Sequence, residues 1–147
     1  MRFINRHQKM GGFTLVEIMI VVAIIALIAA IAIPNLLRAR HNANETAAIG
    51  NERTLVAALE SFRAAQSPPA YPATKGALSS ATPPYVAAAL TTNPRQGYNF
   101  TYTQTSANQY TLLAAPVTSG VTGTRNFFVD ESGVIRVGTD ATGTPIE

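Results

Sequence analysis

Residues 13–33 read Phe13-Thr14-Leu15-Val16-Glu17 and then IMIVVAIIALIAAIAI, a run whose only polar side chains are Thr14 and Glu17. Its 21 residues, at ~1.5 Å each, make a helix of roughly 31 Å, matching the thickness of a bilayer's hydrocarbon core. One membrane span follows. The flank before it holds Arg2, Arg6 and Lys9 and no acid, which keeps the N-terminus cytoplasmic and sends the rest of the chain across. Arg38 and Arg40 lie on the far flank and weaken that asymmetry.

The remainder of the chain is different in kind. The whole chain, at 147 residues, 47% hydrophobic and 13% charged, has room for one domain beside the span. There are no cysteines, which excludes disulfides, thiolate metal sites and cysteine nucleophiles. The pI near 9.6 belongs to the leader. Without Arg2, Arg6 and Lys9, eight basic residues face eight acidic ones. A neutral body has no electrostatic footprint for a phosphate backbone, and no nucleic-acid partner is expected.

Glu17 is the anomaly. A carboxylate at the centre of a membrane helix costs ~2.5–3.5 kcal/mol, and less one turn from the edge. A secretory signal has an apolar region of about 7–15 residues; this run is longer, although Ala30-Ile31-Ala32 imitates a cleavage site. A plain signal anchor fits the length and leaves the acid unexplained. A cut between Gly12 and Phe13 explains it. The new ammonium at Phe13 would stand four residues before Glu17, or meet Glu17 of an adjacent copy, and opposite charges buried at equal depth fix a register between subunits.

A basic leader ending in Gly11-Gly12, then Phe13-Thr14-Leu15-Val16-Glu17, an apolar run and Pro34 resembles the N-terminus of type IV pilins and type II secretion pseudopilins. The motif covers residues 9–40. The resemblance implies that a prepilin peptidase cuts after Gly12 and methylates the Phe13 amine, and that Glu17 and Pro34 serve assembly. It also implies a cytoplasmic assembly ATPase and a platform membrane protein as partners.

Pro34 cannot donate to the carbonyl of Ala30, yet residues 35–66 are rich in Leu, Ala, Arg and Glu, with no further proline until Pro68. A single helix from about Phe13 to Gln66, kinked near Pro34, is expected. At 100° per residue Ala48, Leu55, Leu59 and Phe62 form one apolar stripe, and Glu45, Glu52, Arg53, Glu60 and Arg63 group in a neighbouring charged sector. Leu36 and Leu37 precede the stripe and are expected to face other subunits. Residues 67–97 hold six prolines, Pro68, Pro69, Pro72, Pro83, Pro84 and Pro94, and read as an irregular connection with one short helix at Tyr85–Leu90.

Strand signals fill residues 98–147. Tyr98, Phe100 and Tyr102 alternate with Asn99, Thr101 and Thr103; Gln109–Ala115, Arg125–Asp130 and Val134–Val137 follow, the last two joined by an Asp130-Glu131-Ser132-Gly133 turn. A sheet of three to four antiparallel strands needs cover, and the helix stripe is the candidate. The expected core partners are Tyr98, Phe100, Tyr102, Leu112, Phe127, Phe128, Val129 and Ile135. The fold class is α+β: leader 1–12, membrane and assembly helix 13–33, amphipathic continuation 34–66, connection 67–97 and head 98–147, the lollipop that the pilin resemblance implies.

Chemistry is sparse. The histidines are His7, in the leader, and His41, on a stem that reads as exposed. Neither a Ser/His/Asp set nor a histidine metal cluster can form in the head, and no enzymatic activity is expected. Asp130, Glu131 and Asp140 resemble the calcium loop of major pseudopilins, but turn and tail carboxylates in water are the simpler reading, and no cofactor is expected. The reading is thus a structural subunit: an inner-membrane precursor, cut and methylated, then polymerised through its apolar helix into a filament in the periplasm or at the cell surface. The competing class is a single-span envelope protein whose head binds a ligand without polymerising.

Overall fold

The computed structural model describes residues 12–146. The leader charges Arg2, Arg6 and Lys9, together with His7, Gly11 and the terminal Glu147, lie outside the described residues. One helix, α1, runs Leu15–Ala65 through 51 residues, with Pro34 inside it. Proline removes one hydrogen bond at Ala30, and the leucine- and alanine-rich turns on either side sustain the helix through that gap. Contacts divide the chain into two compact units, Met1–Leu36 and Leu37–Glu147.

In the first unit every described large apolar side chain is exposed, from Phe13 to Leu36. The helix is long and apolar enough to cross a membrane, and none of its most apolar window is covered by the rest of the chain.

The second unit is α+β. Two short helices, α2 (Ala77–Ser80) and α3 (Ala88–Thr91), interrupt the proline-rich connection. The expected helix at Tyr85–Leu90 starts three residues later, because Pro83 and Pro84 are followed by a bend at Tyr85 and Val86 and an extended Ala87. Five strands follow: β1 Tyr98–Ser106, β2 Gln109–Pro116, β3 Phe127–Asp130, β4 Arg136–Val137 and β5 Thr144–Pro145. They form one antiparallel sheet in sequence order, a meander. The fifth strand was not legible in a two-residue tail segment; it pairs Val137 with Thr144, and the Ile146 amide donates to the Ile135 carbonyl.

Register decides the faces. Tyr98 and Phe100 of β1, Tyr110, Leu112 and Ala114 of β2, and Phe127 and Val129 of β3 alternate inward and pack on Ala48, Leu55, Ala58 and Leu59 of α1. Burial of Leu55 and Leu59, each 1% exposed, contributes about 1.5–3 kcal/mol apiece. Phe128 is a correction. Lying between Phe127 and Val129, it must face the other side of the sheet, where it is buried apart from the main core. Tyr102 is half-buried at the core's margin, its hydroxyl donating to the Pro72 carbonyl at 2.7 Å.

The outer edge of β1 is occupied at its start, at Tyr98 and Phe100. Arg95 and Tyr98 exchange backbone hydrogen bonds, the Asn93 amide side chain brackets the Phe100 N–H and C=O, and Lys75 Nζ donates to the same carbonyl at 2.6 Å. The opposite edge is a two-residue strand ending in Pro145.

Candidate functional site

Gly12 and Phe13 lie in non-helical chain ahead of α1, both exposed. A side chain built at Gly12 would meet nothing within 4 Å, so no packing among the described residues calls for glycine there. Glu17 has a partner that composition did not reveal. Its carboxylate accepts from the Thr14 amide at 2.8 Å and the Thr14 hydroxyl at 2.7 Å, while the Glu17 amide donates to that hydroxyl at 3.2 Å. Thr14-x-x-Glu17 is a capping box, satisfying donors that a helix N-terminus leaves free. The acid thereby enters an apolar segment already hydrogen-bonded. Its position in the first turn also favours the helix dipole.

The head contains two further acids on α1 that the expected charged sector misplaced. Glu45, Ala48, Glu52, Leu55, Leu59 and Phe62 recur at alternating spacings of three and four, a single stripe. Both acids are buried. The signal was present in the spacing; the charge of glutamate hid it.

Glu45 holds the loop between β2 and β3. Its Oε1 accepts from the Thr124 amide at 3.0 Å, the Thr124 hydroxyl at 2.9 Å and the Arg125 amide at 3.3 Å; its Oε2 accepts from Arg125 Nε at 2.7 Å. Burial alone would raise its pKa, but the Thr124 amide and hydroxyl and the Arg125 guanidinium outweigh it and hold the carboxyl below its ordinary range. Glu52 is the opposite case. It is fully buried, neither oxygen has a hydrogen-bonding partner of good geometry, and burial pushes its pKa up to about 8 against a weak opposing pull from the Ala114 amide. At neutral pH it is a neutral acid in an apolar core.

Asp130, Glu131 and Asp140 are not brought together. Asp130 accepts from the Ser132 amide, Asp140 from the Thr142 amide and hydroxyl, and Glu131 from the Gln109 side chain. Among the described residues no three His, Cys, Asp or Glu side chains are placed to hold a metal ion. An open depression of about 240 Å³ on the outer face of the sheet is lined by Gln109, Thr111, Phe128, Asp130 and Glu131. His41 is half-buried, with Nε2 shielded, instead of exposed.

With this geometry in view, residues 7–33 match the family model described as the prokaryotic N-terminal methylation motif. The chain is pilin-like. It is 66% identical over 35 residues to the type IV wide pilus major component PilA4 of Thermus thermophilus, covering 24% of this chain and 27% of that protein. It is 44% identical over 62 residues to the type IV major pilin protein PilA of Myxococcus xanthus, covering 42% and 28%. It is 32% identical over 94 residues to the type II secretion system core protein G of Klebsiella michiganensis, covering 63% and 65%. Each match spans less than two thirds of the relative's own length. No solved structure matches. The stretch that matches the methylation motif contains Gly12, Phe13, Thr14 and Glu17.

Proposed function

We propose that this chain is a structural subunit of a type IV pilus or pilus-like filament, with the pseudopilus of a type II secretion system as the alternative within the same class. The observation that carries the reading is the pairing of a methylation-motif N-terminus with a helix whose apolar surface none of the described residues covers. Such a surface stays dry in lipid. Outside lipid it needs other copies of itself, and heterologous contacts that do not close on themselves generate a filament. In this reading the precursor sits in the inner membrane with its N-terminus in the cytoplasm. A prepilin peptidase cuts after Gly12, where no packing among the described residues calls for glycine, and Phe13 is N-methylated.

Glu17 then exchanges its Thr14 hydrogen bonds for the methylated amine of a neighbouring copy, fixing the register. Pro34 marks the point where α1 leaves the span. An assembly ATPase and a platform membrane protein supply the work, and the subunit itself carries out no catalysis.

Mass spectrometry of mature protein tests the reading. A start at Phe13 with one added methyl is expected; retention of Met1 would place the chain among non-polymerising anchors. Glu17→Ala is expected to preserve insertion and leader removal while sharply lowering filament yield. Normal yield from that variant removes Glu17 from assembly.

A further inference from the structure

Arg38 and Arg40 are the charges that oppose the orientation of the span, since arginine is disfavoured on a flank that must cross the membrane. Both are exposed on α1. No described residue answers them. No Asp or Glu occurs between Glu17 and Glu45, and the ion pairs among the described residues are Arg63 with Glu60 and Arg125 with Glu45. Glu45 is thus committed to the head.

The reach of the apolar surface places these arginines. Beyond the run that ends at Ile33, exposed apolar side chains continue to Leu36 and Leu37, 55% and 45% exposed. Residues 18–37, the stretch between the charges of Glu17 and Arg38, number 20 and are broken only by Pro34 and Asn35. They make ~30 Å of helix, the full hydrocarbon thickness. A chain seated to that depth gives both leucines acyl chains to lie against. Arg38 and Arg40 then emerge within the first ~5 Å of the headgroup layer.

Their spacing selects the ligand. Residues two apart on a helix are turned ~200° from each other, so the two guanidinium groups leave α1 from opposite sides. A protein surface covers one side of a helix; a bilayer encircles it. A guanidinium also presents a planar fork of donors that meets two phosphate oxygens at once.

We infer that Arg38 and Arg40 bind phospholipid phosphates on opposite sides of α1, a collar that fixes the depth of the span before assembly. The inference rests on the membrane reading and adds a ligand to it. Entry into a filament strips these contacts, so the collar holds the subunit in lipid until it is drawn out.

Solid-state NMR of the full-length chain tests it. The chain is labelled with carbon-13 at its arginine guanidinium carbons and reconstituted in phosphatidylglycerol–phosphatidylethanolamine vesicles in phosphate-free buffer, which leaves lipid as the source of phosphorus. The signal lost in Arg38→Gln with Arg40→Gln, obtained by difference, is expected to be dephased by phosphorus-31 in the unmodified chain. The signal lost in Arg53→Gln, an exposed arginine further along α1, is expected to show no dephasing. A chain that carbonate washes from the vesicles fails the membrane reading and takes the collar with it. A chain that stays inserted while its Arg38 and Arg40 signals show no dephasing overturns the collar alone, and so does equal dephasing at Arg53.

Discussion

Arg125 places its guanidinium 2.6 Å from the carboxylate of Glu45, a residue 80 positions earlier in the chain. Glu45 is buried while Arg125 remains half in solvent. The acid therefore depends on the four donors of Thr124 and Arg125 to offset its lost hydration, and the loop depends on the acid for its place.

Glu45→Ala leaves Arg125 without its counter-charge and the amides of Thr124 and Arg125 without an acceptor. A loss of about 2 kcal/mol is expected, in the range for leaving buried donors without an acceptor, read from urea unfolding of the full chain in detergent. Because the folded-state pKa of Glu45 is lowered, its contribution is present at neutral pH. It fades as pH falls below the ordinary carboxylate value. An unchanged unfolding midpoint at pH 7 would deny the clamp.

Glu52 has the reverse linkage. Its folded-state pKa is raised from 4.5 to about 8, so between those values the unfolded chain has released a proton that the folded chain retains. Stability therefore falls as pH rises through that window, by up to roughly 5 kcal/mol. Glu52→Leu is expected to flatten this slope and to stabilise the head more at pH 8 than at pH 5. Glu52→Gln is expected to flatten it too. A slope unchanged in both variants would show that Glu52 is not the titrating group.

Gly123→Ala drives a methyl group into the Tyr98 ring. Relief requires Tyr98 to move, which breaks its hydrogen bond to Arg125 and loosens the loop. Overpacking of this kind costs about 1–3 kcal/mol, and a lowered thermal midpoint is expected. Gly120→Ala, at a glycine with open space but a φ of +78°, is the comparison that separates steric overlap from backbone strain.

Thr14→Ala removes the cap that Glu17 shares. A cost of about 1 kcal/mol to the first turn is expected, seen as roughly fivefold faster amide exchange at residues 15–18 in detergent. Exchange rates equal to those of the unmodified chain would mean that the capping box does not hold the first turn.

Much of this molecule is written in periodicity. The span, the continuation of α1 past Pro34, and the alternation of Tyr98, Phe100 and Tyr102 all follow from spacings of 3.6 and 2. What escaped follows from partners that periodicity does not name. Glu45 and Glu52 sit on the apolar stripe at heptad spacing, yet a carboxylate is read as solvent-seeking until Thr124, Arg125 and the covering sheet come into view. Phe128 reads with its neighbours because three consecutive apolar residues conceal which face each takes. Thr144–Pro145 is too short to carry any pattern and forms a strand only because Val137 offers it an edge. At the N-terminus the reverse holds: Thr14-x-x-Glu17 is a local signature of a helix start, overshadowed by the stronger hint of processing at Gly12.

The occupied rim of β1 has a bearing on crowding. A filament concentrates heads far above any cellular average, the condition under which bare strand margins zip together into amyloid-like ribbons. Asn93 and Lys75 already hold the Phe100 peptide groups, Arg95 holds those of Tyr98, and Pro145 blunts the far margin. Heads so finished offer fewer free backbone groups for one sheet to pair with another.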